Sequence, residues 1–147
     1  MRPMHSPRRL HGSCVARNDD AILLVGTPGS GKSDLALRLL ARGFTLVADD
    51  QVDIADGMAF CPPALAGLLE ARGLGILRLP YYARARLALI VDLTTRPDRL
   101  PVPRRDPDLD LPVIGLSAES VSAVDKVVAA LDCATGRIVQ VAGAFAA

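Results

Sequence analysis

An apolar run, Ala21, Ile22, Leu23, Leu24 and Val25, leads into Gly26, Thr27, Pro28, Gly29, Ser30, Gly31, Lys32 and Ser33. A helical pattern with Leu35, Leu39 and Leu40 on one face follows at once. This is a G-x-x-x-x-G-K-[ST] loop set between a strand and a helix, the context that turns a letter pattern into a phosphate cradle. Its glycines let the backbone wrap an anion with N–H groups, and a helix starting at Lys32 or Ser33 adds the positive end of its dipole. Lys32 is expected to reach the β- and γ-phosphates of a nucleotide, and the Ser33 hydroxyl to ligate Mg²⁺.

Composition narrows the partners. The 147 residues read as one domain, and half of them are apolar, enough for a real core. No stretch approaches the roughly 20 apolar residues of a membrane span. Formal charge is +1, from 17 basic and 16 acidic residues, which offers no electrostatic case for nucleic acid or a membrane surface. Aromatics are scarce and Trp is absent, so platforms for stacking bases are not expected. Cys14, Cys61 and Cys133 are odd in number and widely spaced, which reads as a reduced, cytoplasmic setting. Arg8 and Arg9 precede no apolar segment of export-signal length, so export is rejected.

Along the chain, residues 1–9 read as a loose tail and residues 10–16 as a first strand beside the phosphate-loop strand, carrying His11. Asn18, Asp19 and Asp20 form a turn, and Gly43 closes the helix. Residues 44–48 make a buried strand that delivers Asp49 and Asp50 at its end. Residues 51–55 and 58–61 pair as a hairpin across Asp56 and Gly57. Residues 64–70 read as a short helix or an extended segment, Arg72 to Gly75 as a flexible element, and residues 76–79 as a strand. Residues 86–93 form a long apolar strand ending near Asp92, and residues 94–112, with five prolines, a loop or weak edge. A short strand at 112–117 precedes a helix at 120–131, spaced by Val121, Val124, Val127, Val128 and Leu131. The sequence leaves residues 136–147 open between packing on the body, packing on another subunit, and fraying.

The reaction depends on which acid faces the terminal phosphate. Asp92 ends an apolar strand in the manner of a Walker B aspartate. Asp49 and Asp50 end the strand that follows the phosphate-loop helix, and one of them would suit a general base. Taken alone, the pair also fits an exposed turn, His11 a bystander and Glu70 a solvated carboxylate.

Taken together, these segments resemble the bacterial HPr kinase/phosphorylase family. Leu46, Val47, Ala48, Asp49 and Asp50 match its L-V-A-D-D signature, and the run from Leu69 and Glu70 through Arg72, Gly73, Leu74, Gly75 and Ile76 matches L-E-x-R-G-L-G-I. The pair His11–Gly12, about twenty residues before Lys32, matches as well. The resemblance implies an α/β P-loop domain similar to the nucleotide-binding core of phosphoenolpyruvate carboxykinase, with a mixed sheet and flanking helices. It implies an ATP- and Mg²⁺-dependent serine kinase whose substrate is a small HPr-like phosphocarrier protein of the phosphotransferase system. Asp50 becomes the base, His11 its neighbour, Lys32 the phosphate ligand, and Ser33 with Glu70 the metal ligands. A homo-oligomer, such as a hexamer, is implied too.

Thr27 and Pro28 replace the Asp-Ser of the family's usual G-D-S-G-x-G-K-S, removing a carboxylate near the phosphates. The neighbourhood of Pro101, Val102, Pro103, Arg104 and Arg105 lacks the P-G-R-N loop associated with reverse dephosphorylation, so a short kinase form is expected. Two other readings stay open from the residues: a small-molecule kinase on the same core, and a regulatory module that binds ATP without turnover.

Overall fold

The structure, a computed structural model, describes residues 8–94 and 97–146. Most of the expected loose tail, residues 1–7, therefore lies outside the described residues, as do positions 95, 96 and 147.

The chain opens with β1 (Arg8–His11), β2 (Ser13–Arg17) and β3 (Asp20–Val25), then α1 (Lys32–Leu40) and β4 (Thr45–Ala48). There follow β5 (Gln51–Ala55), β6 (Met58–Phe60), a 3-10 turn at Pro63–Leu65, β7 (Leu68–Ala71), β8 (Gly75–Arg78) and β9 (Arg84–Leu93). The described chain finishes with β10 (Arg105–Asp106), β11 (Leu111–Leu116) and α2 (Ala123–Ala134). The main sheet runs β1-β5-β6-β9-β3-β2-β4, with β11 added beside β9 and β10 beside β11. It is mixed: β9 is parallel to β3 and β11, and antiparallel to β6.

Two turns fix its register. Asn18 (φ 56°) joins β2 to β3, and Asp56 and Gly57 (φ 52° and 76°) join β5 to β6, a two-residue turn whose positive φ values match the strand twist. The two ends of the strand path are also tied covalently to strands near the opposite ends. β1 runs into β2 through Gly12, and β4 runs into β5 through Asp49 and Asp50. With β1 on β5 and β2 on β4, the sheet curls round on itself.

Period-two alternation sends side chains to two separate cores. Val15, Ile22, Leu24, Leu89 and Val91 face the helices, meeting Leu35 and Leu39 of α1 and Val127 and Leu131 of α2. Cys14, Ala16, Leu23, Val47, Val52, Ile54 and Leu87 fill the inside of the curl. Both helices cover one face only, and each fully buried Leu contributes roughly 1.5–3 kcal/mol. A separate antiparallel hairpin, β7 with β8, lies against the helix-side core through Leu69 and Ala71.

Several expectations need correction. Residues 10–16 are not one strand beside the phosphate-loop strand. Arg8 and Arg9 belong to β1 rather than to a tail, and β1, with His11 opposite Gln51, pairs with β5 while β2 pairs with β3. The closing helix starts three residues later than the valine spacing suggests, leaving Val121 almost fully exposed. Residues 64–70 divide into the end of the 3-10 turn and most of β7, and the proline-rich segment contributes the short strand β10. In the C-terminal segment Ala144 is buried and Phe145 packs on the helix-side core.

Candidate active site

β3 ends at Val25, level with Asp92 of β9, and the glycine loop begins there. Within it the Ser30 N–H donates to the Thr27 carbonyl at 3.0 Å. Gly31, at φ 95°, caps α1 by backbone alone, and a Cβ there would lie 2.9 Å from that of Ala118. No side chain of the described residues caps the helix, so its first-turn N–H groups and positive dipole end stay available to an anion. The Lys32 Nζ donates to the carbonyls of Gly26 at 2.8 Å and Thr27 at 3.1 Å, holding an ammonium across the mouth of the loop.

Behind the loop stands Asp49, only 4% exposed. Its Oδ1 accepts the Ser33 hydroxyl at 2.7 Å and the Ser13 hydroxyl at 2.6 Å, and its Oδ2 takes a longer bond, 3.4 Å, from the Glu70 N–H. These donors offset the cost of burying the carboxylate. Among the described residues no basic side chain forms an ion pair with it.

The next residue points elsewhere. Asp50 adopts φ 69° and is exposed, and its carbonyl accepts the Gly12 N–H at 3.1 Å. Glu70 is exposed on β7 between buried Leu69 and Ala71, as strand alternation requires. Lys32, Ser33, Ser13, Asp50, Glu70 and Arg72 line one cleft of about 610 Å³ together with Pro28, Gly29 and Gly31.

Other expected residues lie elsewhere. His11 is exposed and does not line the cleft, although its neighbour Gly12 carries the bond to Asp50. Asp92 stands beside the end of the phosphate-loop strand, 3.7 Å from Arg104, and does not line the cleft either. A second cleft of about 650 Å³, with Arg86, Arg104, Cys133 and Phe145, opens toward the start of β9 and contains none of the glycine-loop residues.

Ser13 was missed by sequence reasoning, and Asp49 was left without a role of its own. The available signal was a hydroxyl heading the apolar run Cys14, Val15 and Ala16, and an acid directly after Val47 and Ala48.

The donors fit a small divalent cation. Ser33, Glu70 and Asp49 present hard oxygen atoms, and Asp49 is a buried carboxylate that no counter-charge among the described residues pairs with. Among the described residues no group of three His, Cys, Asp or Glu side chains could hold a metal ion by itself. Magnesium commonly binds through one or two carboxylates together with substrate phosphates, so a site for it does not require such a group.

Fold and site define a mixed-sheet α/β domain with a glycine-loop strand–helix junction backed by a buried acid. The chain belongs to the HPr Serine kinase C-terminal domain family, whose family model matches residues 3–95. It is 42% identical over 121 residues to an HPr kinase/phosphorylase of Burkholderia lata, a match covering 71% of this chain and 38% of that protein. An HPr kinase/phosphorylase of Burkholderia cenocepacia matches with the same identity and coverage. The match thus spans well under half the length of these curated relatives. The solved Hpr(Ser) kinase/phosphatase from Coxiella burnetii superposes with a TM-score of 0.67 at 21% identity, covering 84% of this chain and 87% of that one, which shows a shared fold. No helix of the described residues is long and apolar enough to cross a membrane.

Proposed function

We propose that this domain transfers the γ-phosphoryl group of ATP to a serine hydroxyl of a small HPr-like phosphocarrier protein. The observation that carries the reading is the placement of Asp50, exposed, in the same cleft as Lys32 and Ser33. Backbone N–H groups of residues 26–33 and the start of α1 hold the phosphates. Lys32 exchanges its two carbonyl partners for the β- and γ-phosphate oxygens. Ser33 and Glu70 would hold Mg²⁺, which supplies charge neutralisation on the transferring group.

Asp50 takes the proton of the seryl hydroxyl as its oxygen bonds to phosphorus and the bond to the β-phosphate oxygen breaks, releasing ADP. We assign an assisting role beside that base to His11, which is adjacent in sequence to the amide that binds the Asp50 carbonyl. Arg72 and the β7–β8 turn flank the entry and would receive the acceptor. We place the domain in the cytoplasm, where its three free cysteines stay reduced, and as a homo-oligomer by analogy with the family.

The test is incubation with γ-labelled ATP, magnesium and a small serine-bearing phosphocarrier. Acid-stable label on a carrier serine is the expected result. Label on a metabolite, or firm ATP binding with no transfer to any acceptor, would replace the protein-kinase reading.

A further inference from the structure

We infer that Ser13 is a positioning residue of the magnesium–triphosphate site, acting through Asp49 on Ser33. The inference rests on the function proposed above and adds a residue that the phosphate-loop, A-D-D and R-G-L-G stretches do not contain.

Ser13 heads β2, opposite Leu24 of β3, and strand alternation puts it on the same face as Val15, toward α1. It is 1% exposed, and a buried hydroxyl needs a partner. The partner is Asp49 Oδ1, at 2.6 Å, the same oxygen that accepts the Ser33 hydroxyl at 2.7 Å. Both are short bonds to a charged acceptor, the stronger class of hydrogen bond. A carboxylate oxygen has two lone pairs, so two donors saturate Oδ1.

Three consequences follow for the site. The Ser13 bond stops the carboxylate from rotating about its last bond. The fixed Oδ1 then holds the Ser33 proton on the buried side, leaving the lone pairs of Ser33 Oγ for a cation in the cleft. The occupied Oδ1 also leaves Oδ2, which takes one long bond among the described residues, as the carboxylate oxygen with spare capacity. Ser13 touches neither phosphate nor acceptor in this scheme. It acts only where the metal is bound.

The experiment measures binding of ATP to the full chain, with magnesium and with excess EDTA, for wild type, Ser13→Ala and Ser13→Cys. Cysteine keeps nearly the same shape and only a weak donor, so it guards against a fold failure of the alanine variant. Loss of one charge-assisted bond predicts that both variants weaken magnesium-dependent binding by about tenfold and raise the magnesium concentration for half-saturation, while metal-free binding holds. A role confined to packing would move both conditions equally, and that result, or no change in either, overturns the assignment while wild-type transfer to the carrier still stands. Wild-type protein that binds ATP no better with magnesium than without would overturn the assignment together with the metal role it rests on. Circular dichroism of each variant fixes which folded species is compared.

Discussion

The Gly12 amide donates to the Asp50 carbonyl at 3.1 Å, pinning the bend between β1 and β2 to the corner between β4 and β5. Both long antiparallel arms of the curled sheet turn at this one place. Ser13 on one arm and Asp49 on the other meet beside it, so the acid site is built at the bend and not on a free loop.

That bend depends on close approach. A Cβ on Gly12 would lie 2.8 Å from the Leu24 carbonyl oxygen and 3.3 Å from Leu23 Cδ1. Gly12→Ala should therefore lose about 1–3 kcal/mol in urea unfolding, the usual range for overpacking a rigid site. It should also weaken triphosphate binding, because Ser13 moves with it. An unchanged midpoint would show that β3 yields more easily than its buried ladder suggests.

Asp50 carries the proposed proton transfer and makes no side-chain bond to the loop. Asp50→Asn should lower transfer to the carrier by about 10²–10⁴-fold while ATP affinity, read by calorimetry, stays near wild type. Retention of the transfer rate would move the base elsewhere, with Asp92 next to be tested.

Among the described residues Lys32 bonds only to carbonyls of its own loop, so its removal should cost little stability. Lys32→Ala should keep the wild-type melting temperature yet weaken ATP binding by at least about tenfold, since a charge-assisted contact to phosphate is lost. A large fall in melting temperature would recast the lysine as a structural clasp for the loop.

Arg9 holds β1 to β5 through Asp53, with bonds of 2.8 and 3.0 Å. The Arg9 hydrogen bond keeps the Asp53 carboxyl below its ordinary range. The folded chain thus binds that proton less readily than the unfolded chain, whose aspartates titrate near about 3.9. The pair's stabilisation is present above that value and disappears as pH falls through the lower folded one. Asp53→Asn should give a small loss in Tm at neutral pH that shrinks to nothing in strong acid. A gap that persists at low pH would assign the effect to packing.

Local chemistry was the legible part of the sequence. Asp56 and Gly57 announced their hairpin because few other pairs accept two positive φ angles, and the glycine loop announced its strand and helix. Lys32, Ser33, Asp50 and Glu70 do share a cleft, though Glu70 entered the expected set only through its resemblance to relatives. What stayed hidden depends on partners distant in the chain. Gly12 is the kind of residue that marks a bend or close approach within a strand pattern, but residues 10–16 do not say what approaches it, since the carbonyl that demands it belongs to Leu24. Ser13 read as a minor polar residue until Asp49, 36 positions away, supplied its acceptor. Val121 fitted the helical spacing of its neighbours, yet the helix starts after it.

The positive φ of Asp50 gives two neighbouring carboxylates unlike surroundings, one dry among hydroxyl donors and one wet at the rim. A deletion or insertion of a single residue at this corner would trade those places, putting a charge meant for solvent into the interior. Corner length is therefore under as tight a constraint as corner composition, and a variant that keeps both acids but shifts them by one step should be as inert as one that lacks them.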